Sequence, residues 1–259
     1  MEEEKRLVYV EKDLQQFLYL GGLALGLNLR DDIINKFIIY LEMINSYQKK
    51  VNITSTKKPF DIISKHFLDS LSSLYIIDEL LYDFRQGSGL KIIDVGSGAG
   101  FPGIPIKIVL PHSNMTLLEA KKNKALFLRD VINKLALADS EVLQDRSENI
   151  GKSAEYRENY HIVLSRAVAA LNILCELCLP LCQINGVMIT FKGSSYIEEL
   201  SVSNKVIERL GGAVESINTI SIPYSKHFRY LLVIRKIKST PEDYPRKNGV
   251  PQKRPLYFE

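Results

Sequence analysis

The segment Ile92-Ile93-Asp94-Val95-Gly96-Ser97-Gly98-Ala99-Gly100-Phe101-Pro102-Gly103 constrains this chain more than any other. A short apolar run enters three alternating glycines, and Pro102 follows where a helix would open, so the stretch reads as strand, turn and helix. Glycines at 96, 98 and 100 permit positive φ and remove the Cβ atoms that would hold a ligand off the backbone. Open α/β sheets bind ligands in the crevice beyond the carboxyl ends of their strands, which favours a binding loop over a bare tight turn. A dinucleotide fingerprint wants glycine or alanine three positions after its second glycine, and Phe101 stands there, so NAD and FAD fit poorly. No Gly-Lys-Ser/Thr follows the turn, which excludes a P-loop.

The rest of the chain supplies a matching α/β pattern. Apolar stripes at Leu14, Phe17, Leu18 and at Ile33, Phe37, Ile38, Leu41, Ile44 predict a helical cap over residues 1–88. A polar, basic loop at 49–58 leads to a further helix over 60–82, and Gly87, Ser88 and Gly89 punctuate the chain. Short apolar runs at 91–95, 115–118, 162–164 and 187–191, separated by helical patterns, predict a parallel sheet covered on both faces over 89–238. The runs 214–222 and 230–237 have no helix between them and predict an antiparallel hairpin at the sheet edge. Residues 239–259 carry four prolines from Pro241 onward, which predicts an extended basic tail.

Composition removes several classes. The longest nearly uncharged apolar stretches, 17–29 and 171–181, are too short to span a membrane. The opening Met-Glu-Glu-Glu-Lys-Arg lacks a secretory pattern, so a cytoplasmic protein is expected. Cys175, Cys178 and Cys182 are odd in number, which argues against a disulfide framework. Their spacing reverses the Cys-x3-Cys-x2-Cys of radical enzymes and suits one helix face among Leu171, Leu174, Leu177 and Leu181, so they read as core and no metal is expected. His66, Asp69 and Ser70 contain the residue types of a hydrolase triad, but no nucleophile elbow surrounds Ser97. Glu119 ends the second predicted strand, 23 residues beyond Gly96, where a carboxylate can accept both hydroxyls of an adenosine ribose. A glycine loop without phosphate-binding equipment, joined to a ribose carboxylate, describes S-adenosylmethionine better than a dinucleotide.

Asp94 to Pro105, with its Pro-Gly-Ile-Pro continuation, resembles the nucleotide-loop motif of the RsmG (GidB) family of bacterial 16S rRNA guanine-N7 methyltransferases. Val51-Asn52-Ile53-Thr54, Lys65-His66-Phe67-Leu68-Asp69-Ser70, Leu164-Ser165-Arg166-Ala167, Phe191-Lys192-Gly193 and the stretch 244–251 are similar to that family's further blocks, in order. The resemblance covers about 51–256 and implies a class I methyltransferase fold (α/β, Rossmann-like) using S-adenosylmethionine. It implies that Gly96, Gly98 and Phe101 line the cofactor loop, that Asp94 orders it, and that Glu119, Ala120 and Lys121 lie at the adenosine. It places Ser147 and Glu148 beside the adenine and Arg166 and His66 at the active-site cleft. Ser147 departs from the alanine usual between Arg146 and Glu148, a change that keeps the side chain small.

The acceptor then sets the chemistry. Guanine N7 carries a lone pair and no proton, so attack on the sulfonium methyl needs placement and exclusion of water more than a base. A cation aimed at N7 would block it, which makes Arg166 a placer of base or phosphate. The implied target is guanine 527 of 16S rRNA, in naked RNA or the small ribosomal subunit, with no DNA and no membrane partner and the protein a monomer. Net charge is only +4, so RNA contacts are assigned to groups: Lys49, Lys50, Lys57, Lys58 and Lys65, and Arg246, Lys247, Lys253 and Arg254 in the tail. The alternative is a non-catalytic RNA or ribosome-assembly factor that keeps the glycine loop for binding.

Overall fold

A computed structural model of the chain describes residues 2–49, 51–84, 89–226 and 228–258; Lys50, Gly87 and Ser88 lie outside them. The strands are β1 (Lys91–Val95), β2 (Asn114–Leu118), β3 (Ser140–Leu143), β4 (Tyr160–Arg166), β5 (Cys182–Lys192), β6 (Gly212–Ser221) and β7 (Phe228–Lys236). They form a seven-stranded sheet in the order β3-β2-β1-β4-β5-β7-β6. The first five run parallel, and β7 pairs antiparallel with both β5 and β6, so the expected hairpin lies at one edge. Strand order reverses between β1 and β4, and the crevice beyond their carboxyl ends is where such sheets take ligands. The glycine turn and Arg166 both lie there. β3 has no counterpart among the apolar runs, because a four-residue strand containing Ser140 and Glu141 carries too little apolar signal.

Alternation along the strands sends side chains to two cores. Ile92, Leu117, Ile162, Leu164, Ile189 and Val233 face one layer, which holds α1 (Glu2–Ala24), α2 (Asp31–Gln48), α6 (Gly103–Val109) and α7 (Lys122–Lys134). Ile93, Val95, Val163, Met188 and Leu232 face the other, with α9 (Leu171–Cys178) and α10 (Tyr196–Arg209). The N-terminal helices thus share a continuous core with the sheet. All three cysteines are fully buried in the second core, and burial pushes the Cys175 and Cys182 thiols up to about 12. This is the chemistry of small apolar residues.

The helix expected over 60–82 is broken. It comprises α3 (Pro59–Ile62), a π-helical segment (Ile63–Leu68), α4 (Asp69–Leu71) and α5 (Leu74–Phe84). Three serine hydroxyls bond back to the chain here: Ser70 to the His66 carbonyl at 2.5 Å, Ser72 to that of Asp69 at 2.6 Å, and Ser73 to that of Ser70 at 3.0 Å. Such back-bonds compete with helical ones. The wider turn carries Lys65 and His66, and π-turns of this kind are common at functional sites.

The tail is pinned, contrary to its expected extended state. Arg157 donates to the carbonyls of Thr240 at 2.7 Å and Tyr244 at 2.8 Å, and α8 (Ser147–Ile150) receives Gly249, whose N–H donates to Glu148 Oε1 at 2.8 Å. A short helix, α11 (Val250–Lys253), follows. Arg246 spans the fully buried carboxylate of Glu176 on α9, with Nε at 2.8 Å and a terminal nitrogen at 2.6 Å. The charge of Arg246, expected to meet RNA, is thus engaged within the protein, whereas Lys247, Lys253 and Arg254 are exposed. Removing one partner of a buried pair strands the other charge, so Arg246→Ala should lower unfolding free energy by about 3 kcal/mol. Urea denaturation checks this, with Lys253→Ala as the control that should change little.

Candidate functional site

The turn after β1 owes its shape to glycine. Gly96, Gly98 and Gly100 take φ of +76°, +61° and +98°, values that L side chains rarely adopt. A Cβ on Gly98 would meet nothing closer than 3.8 Å, so this position is reserved by its backbone and by open space for a ligand. Gly103 has the opposite role: a Cβ there would lie 2.5 Å from Leu117 and 2.9 Å from Asp94 Oδ2. The glycine that lets helix and strand approach is therefore Gly103, two residues later than a dinucleotide fingerprint would put it. Asp94 holds this helix start by accepting the Gly103 N–H at 3.0 Å, while its Oδ1 is buried without a partner. Burial pushes the Asp94 carboxyl up to about 7. Tyr40, fully buried on α2, donates its hydroxyl to the Ala99 carbonyl and so ties the helical layer to the turn.

A cavity of about 680 Å³ opens beyond β1 and β4. Gly96, Gly98 and Phe101 line it from the turn, Glu119, Ala120 and Lys121 from the end of β2, Ser147 and Glu148 from α8, and Arg166 from β4. The structure thus gathers the residues expected to hold the cofactor, except Asp94, which braces the turn from behind. Glu119 accepts the N–H groups of Gly98 at 2.9 Å and Lys121 at 2.7 Å, which fixes the carboxylate at the cavity edge and leaves further lone pairs for hydroxyls. Ser147 donates to the Leu177 carbonyl at 2.6 Å, a bond that alanine could not make. Val168, Leu177 and Ile53 add apolar wall and Asp145 a carboxylate; the sequence did not single these four out as site residues, because three loops and α9, from distant parts of the chain, bring them together.

Arg166 is almost fully buried and heavily engaged. It donates to Asp69 Oδ2 at 2.7 Å, to the Lys65 carbonyl at 3.2 Å and to His66 Nδ1 at 2.9 Å, and its guanidinium lies 5.2 Å from the Phe101 ring centre. Asp69 is itself buried and also takes Arg229, with Nε at 2.6 Å and a terminal nitrogen at 3.0 Å. Nothing in the sequence around Arg229 marks it. His66 stacks on Phe101 with ring centres 4.6 Å apart and does not line the 680 Å³ cavity. Because Arg166 can only donate, Nδ1 accepts, and Nε2–H is left to donate to Thr56 Oγ1 at 2.8 Å. Burial first, and Arg166 second, hold the His66 pKa down at about 3. His66, expected as a catalytic residue at the cleft, thus packs between Arg166 and Phe101 with neither ring nitrogen free to act as a base. Lys57, Lys58 and Lys65 are exposed nearby.

Residues 33–228 match the family model described as GidB, rRNA small subunit methyltransferase G. The chain belongs to the GidB family. It is 41% identical over 244 residues to ribosomal RNA small subunit methyltransferase G of Alkaliphilus oremlandii, covering 94% of this chain and 99% of that one. It is 39% identical over 239 residues to that of Bacillus subtilis, covering 92% and 97%. Among solved structures, magnesium protoporphyrin IX methyltransferase from Synechocystis with bound S-adenosylmethionine superposes with a TM-score of 0.52 at 13% identity, over 80% of this chain and 98% of that one. The GidB-family chain therefore has the class I methyltransferase fold, on which that Synechocystis protein binds S-adenosylmethionine. The cavity fits that group, because it offers bare turn backbone, a fixed carboxylate and no phosphate-binding lysine motif.

A histidine whose folded pKa is depressed stabilises the fold fully above its unfolded pKa, near 6.5, and that stability is lost as pH falls toward 3. In urea denaturation, wild type should lose stability relative to His66→Gln as pH drops from 7 to 4.5. A constant difference across that range would place His66 in a solvated environment.

Proposed function

We propose that the chain transfers the methyl group of S-adenosylmethionine to N7 of a guanine in 16S rRNA, the guanine at position 527 in the usual numbering. Family membership supports the substrate class, and the resemblance carried by the motif blocks supports the base and its position. One observation supports the choice of atom: among the described residues no histidine or carboxylate of the site is placed as a free base, and even Asp145 at the cavity wall accepts the Arg146 N–H at 2.7 Å and the Asn149 amide at 2.6 Å. His66 is neutral with both ring nitrogens occupied, Glu119 is committed to the turn, Glu148 accepts the Gly249 N–H, and Asp94 lies behind the turn. An exocyclic amine or ribose hydroxyl would have to lose a proton, whereas guanine N7 has none to lose.

When bound, S-adenosylmethionine supplies an electrophilic sulfonium methyl. The chain's own residues position and dry the site. Phe101, Val168 and Leu177 keep water from one part of the cavity, and the Glu119 carboxylate is suited to the ribose. Arg166, with its donors turned toward Asp69 and His66, presents a fixed cationic plane that can orient a base or phosphate without protonating N7. Lys57, Lys58, Lys65, Lys247, Lys253 and Arg254 are the exposed cations assigned to the RNA backbone.

Incubation with labelled methyl donor and small-subunit RNA, followed by digestion to nucleosides, should yield 7-methylguanosine. Single-turnover transfer at saturating RNA and cofactor should be nearly flat from about pH 6.5 to 9. Label in any other nucleoside, binding without transfer, or a tenfold rise across that window that vanishes in a histidine or carboxylate variant would overturn this reading.

A further inference from the structure

A second cavity, of about 580 Å³, opens on the far side of Arg166. Lys65, His66 and Asp69 reach it from the π-helical segment and α4, and Lys226, Phe228 and Arg229 from the start of β7 and the loop before it. Only one layer of side chains divides it from the first cavity. Arg166 lines the first, and the two groups it bonds, His66 Nδ1 and Asp69 Oδ2, line the second.

Its lining combines cations with an exposed aromatic ring. Asp69 supplies the one carboxylate among the lining residues against two arginines, and Lys65 is paired with Asp61 at 3.3 Å, so the second arginine and Lys226 leave the cavity positive. Phe228 stands 56% exposed at the head of β7, a ring with no burial to explain it. Below it, Tyr230 is already stacked on Tyr196 at 4.3 Å. Exposed aromatic faces beside cations are how proteins hold single-stranded nucleic acid, with the ring stacking on a base and the cations meeting the backbone. Gly193 lies at the same wall, and a Cβ there would meet nothing within 4 Å, so the wall is open at that point.

We propose that this second cavity takes the nucleotide adjacent in the RNA chain to the methylated guanine, with its base against Phe228 and its phosphate near Lys226 and Lys65. The proposal rests on the rRNA reading above. Two nucleotides held on either side of Arg166 would splay the strand across it, so that the target base enters the first cavity in one orientation.

The test compares Phe228→Ala, Phe228→Tyr and Lys226→Glu with wild type, all at exposed positions. It measures direct binding of 16S rRNA, methyl-transfer kinetics and calorimetric affinity for S-adenosylmethionine. Phe228→Ala should raise both Kd and KM for RNA by about tenfold, whereas Phe228→Tyr, which keeps the ring, should match wild type. Lys226→Glu should weaken RNA binding and reduce its salt slope by about one. Cofactor affinity should be unchanged in all three. Wild-type RNA affinity in both Phe228→Ala and Lys226→Glu would overturn the proposal, as would equal losses in Phe228→Ala and Phe228→Tyr. The product nucleoside tests the function separately: a different methylated base would refute the guanine reading, while the RNA Kd series would still decide the cavity.

Discussion

One buried carboxylate organises the functional end of this molecule. Asp69 is 1% exposed, and a charge so placed is tolerated only when it is paired and hydrogen-bonded. Its two partners come from the ends of different strands, Arg166 from β4 and Arg229 from β7, while Asp69 belongs to the broken helix packed over the sheet. Three elements far apart in sequence are thereby locked at one point. Arg166 is anchored by this partner at 2.7 Å, and His66 and Phe101 pack against Arg166 in turn. The two cavities are the spaces left on either side of that cluster.

The cluster also settles which protons are available. His66 in water would titrate near neutrality and could serve as a base. Packed against Phe101 and facing a permanently charged guanidinium, it stays neutral down to about pH 3 and cannot accept a proton at Nδ1 without losing its bond to Arg166. Asp94 shows burial acting in the other direction, pushing a carboxyl up to about 7 behind the turn, where it meets backbone and not the cavity. Fixed placement is what this cluster offers.

What could be read in the sequence was what local rules encode. Alternating glycines after an apolar strand announce a ligand turn because the backbone requirement is confined to a few residues, and Glu119 follows from βαβ spacing. The hairpin of β6 and β7 was legible because no helical pattern separates the runs. The rest depends on contacts across the chain. Arg229 and Asp69 meet over 160 residues, Arg246 and Glu176 over 70, and Tyr40 and Ala99 over 59, and no local pattern announces such pairs. The tail looked extended because it combines four prolines with little apolar content, whereas Arg157 and Glu176 hold it from elsewhere. The break in the helix after the π-turn was hidden because Ser70, Ser72 and Ser73 read as ordinary helix residues until their hydroxyls are seen bonding back.

The central claim, that Asp69 builds the site by fixing Arg166, is tested most directly with Asp69→Asn, which keeps the shape and removes the charge. Single-turnover methyl transfer at saturating RNA and cofactor should be followed alongside cofactor affinity and a circular-dichroism check of folding. A misplaced guanidinium should slow the transfer by about a hundredfold while cofactor binding, which depends on the glycine turn and Glu119, is retained. A folded Asp69→Asn protein transferring methyl groups at the wild-type rate would contradict the account.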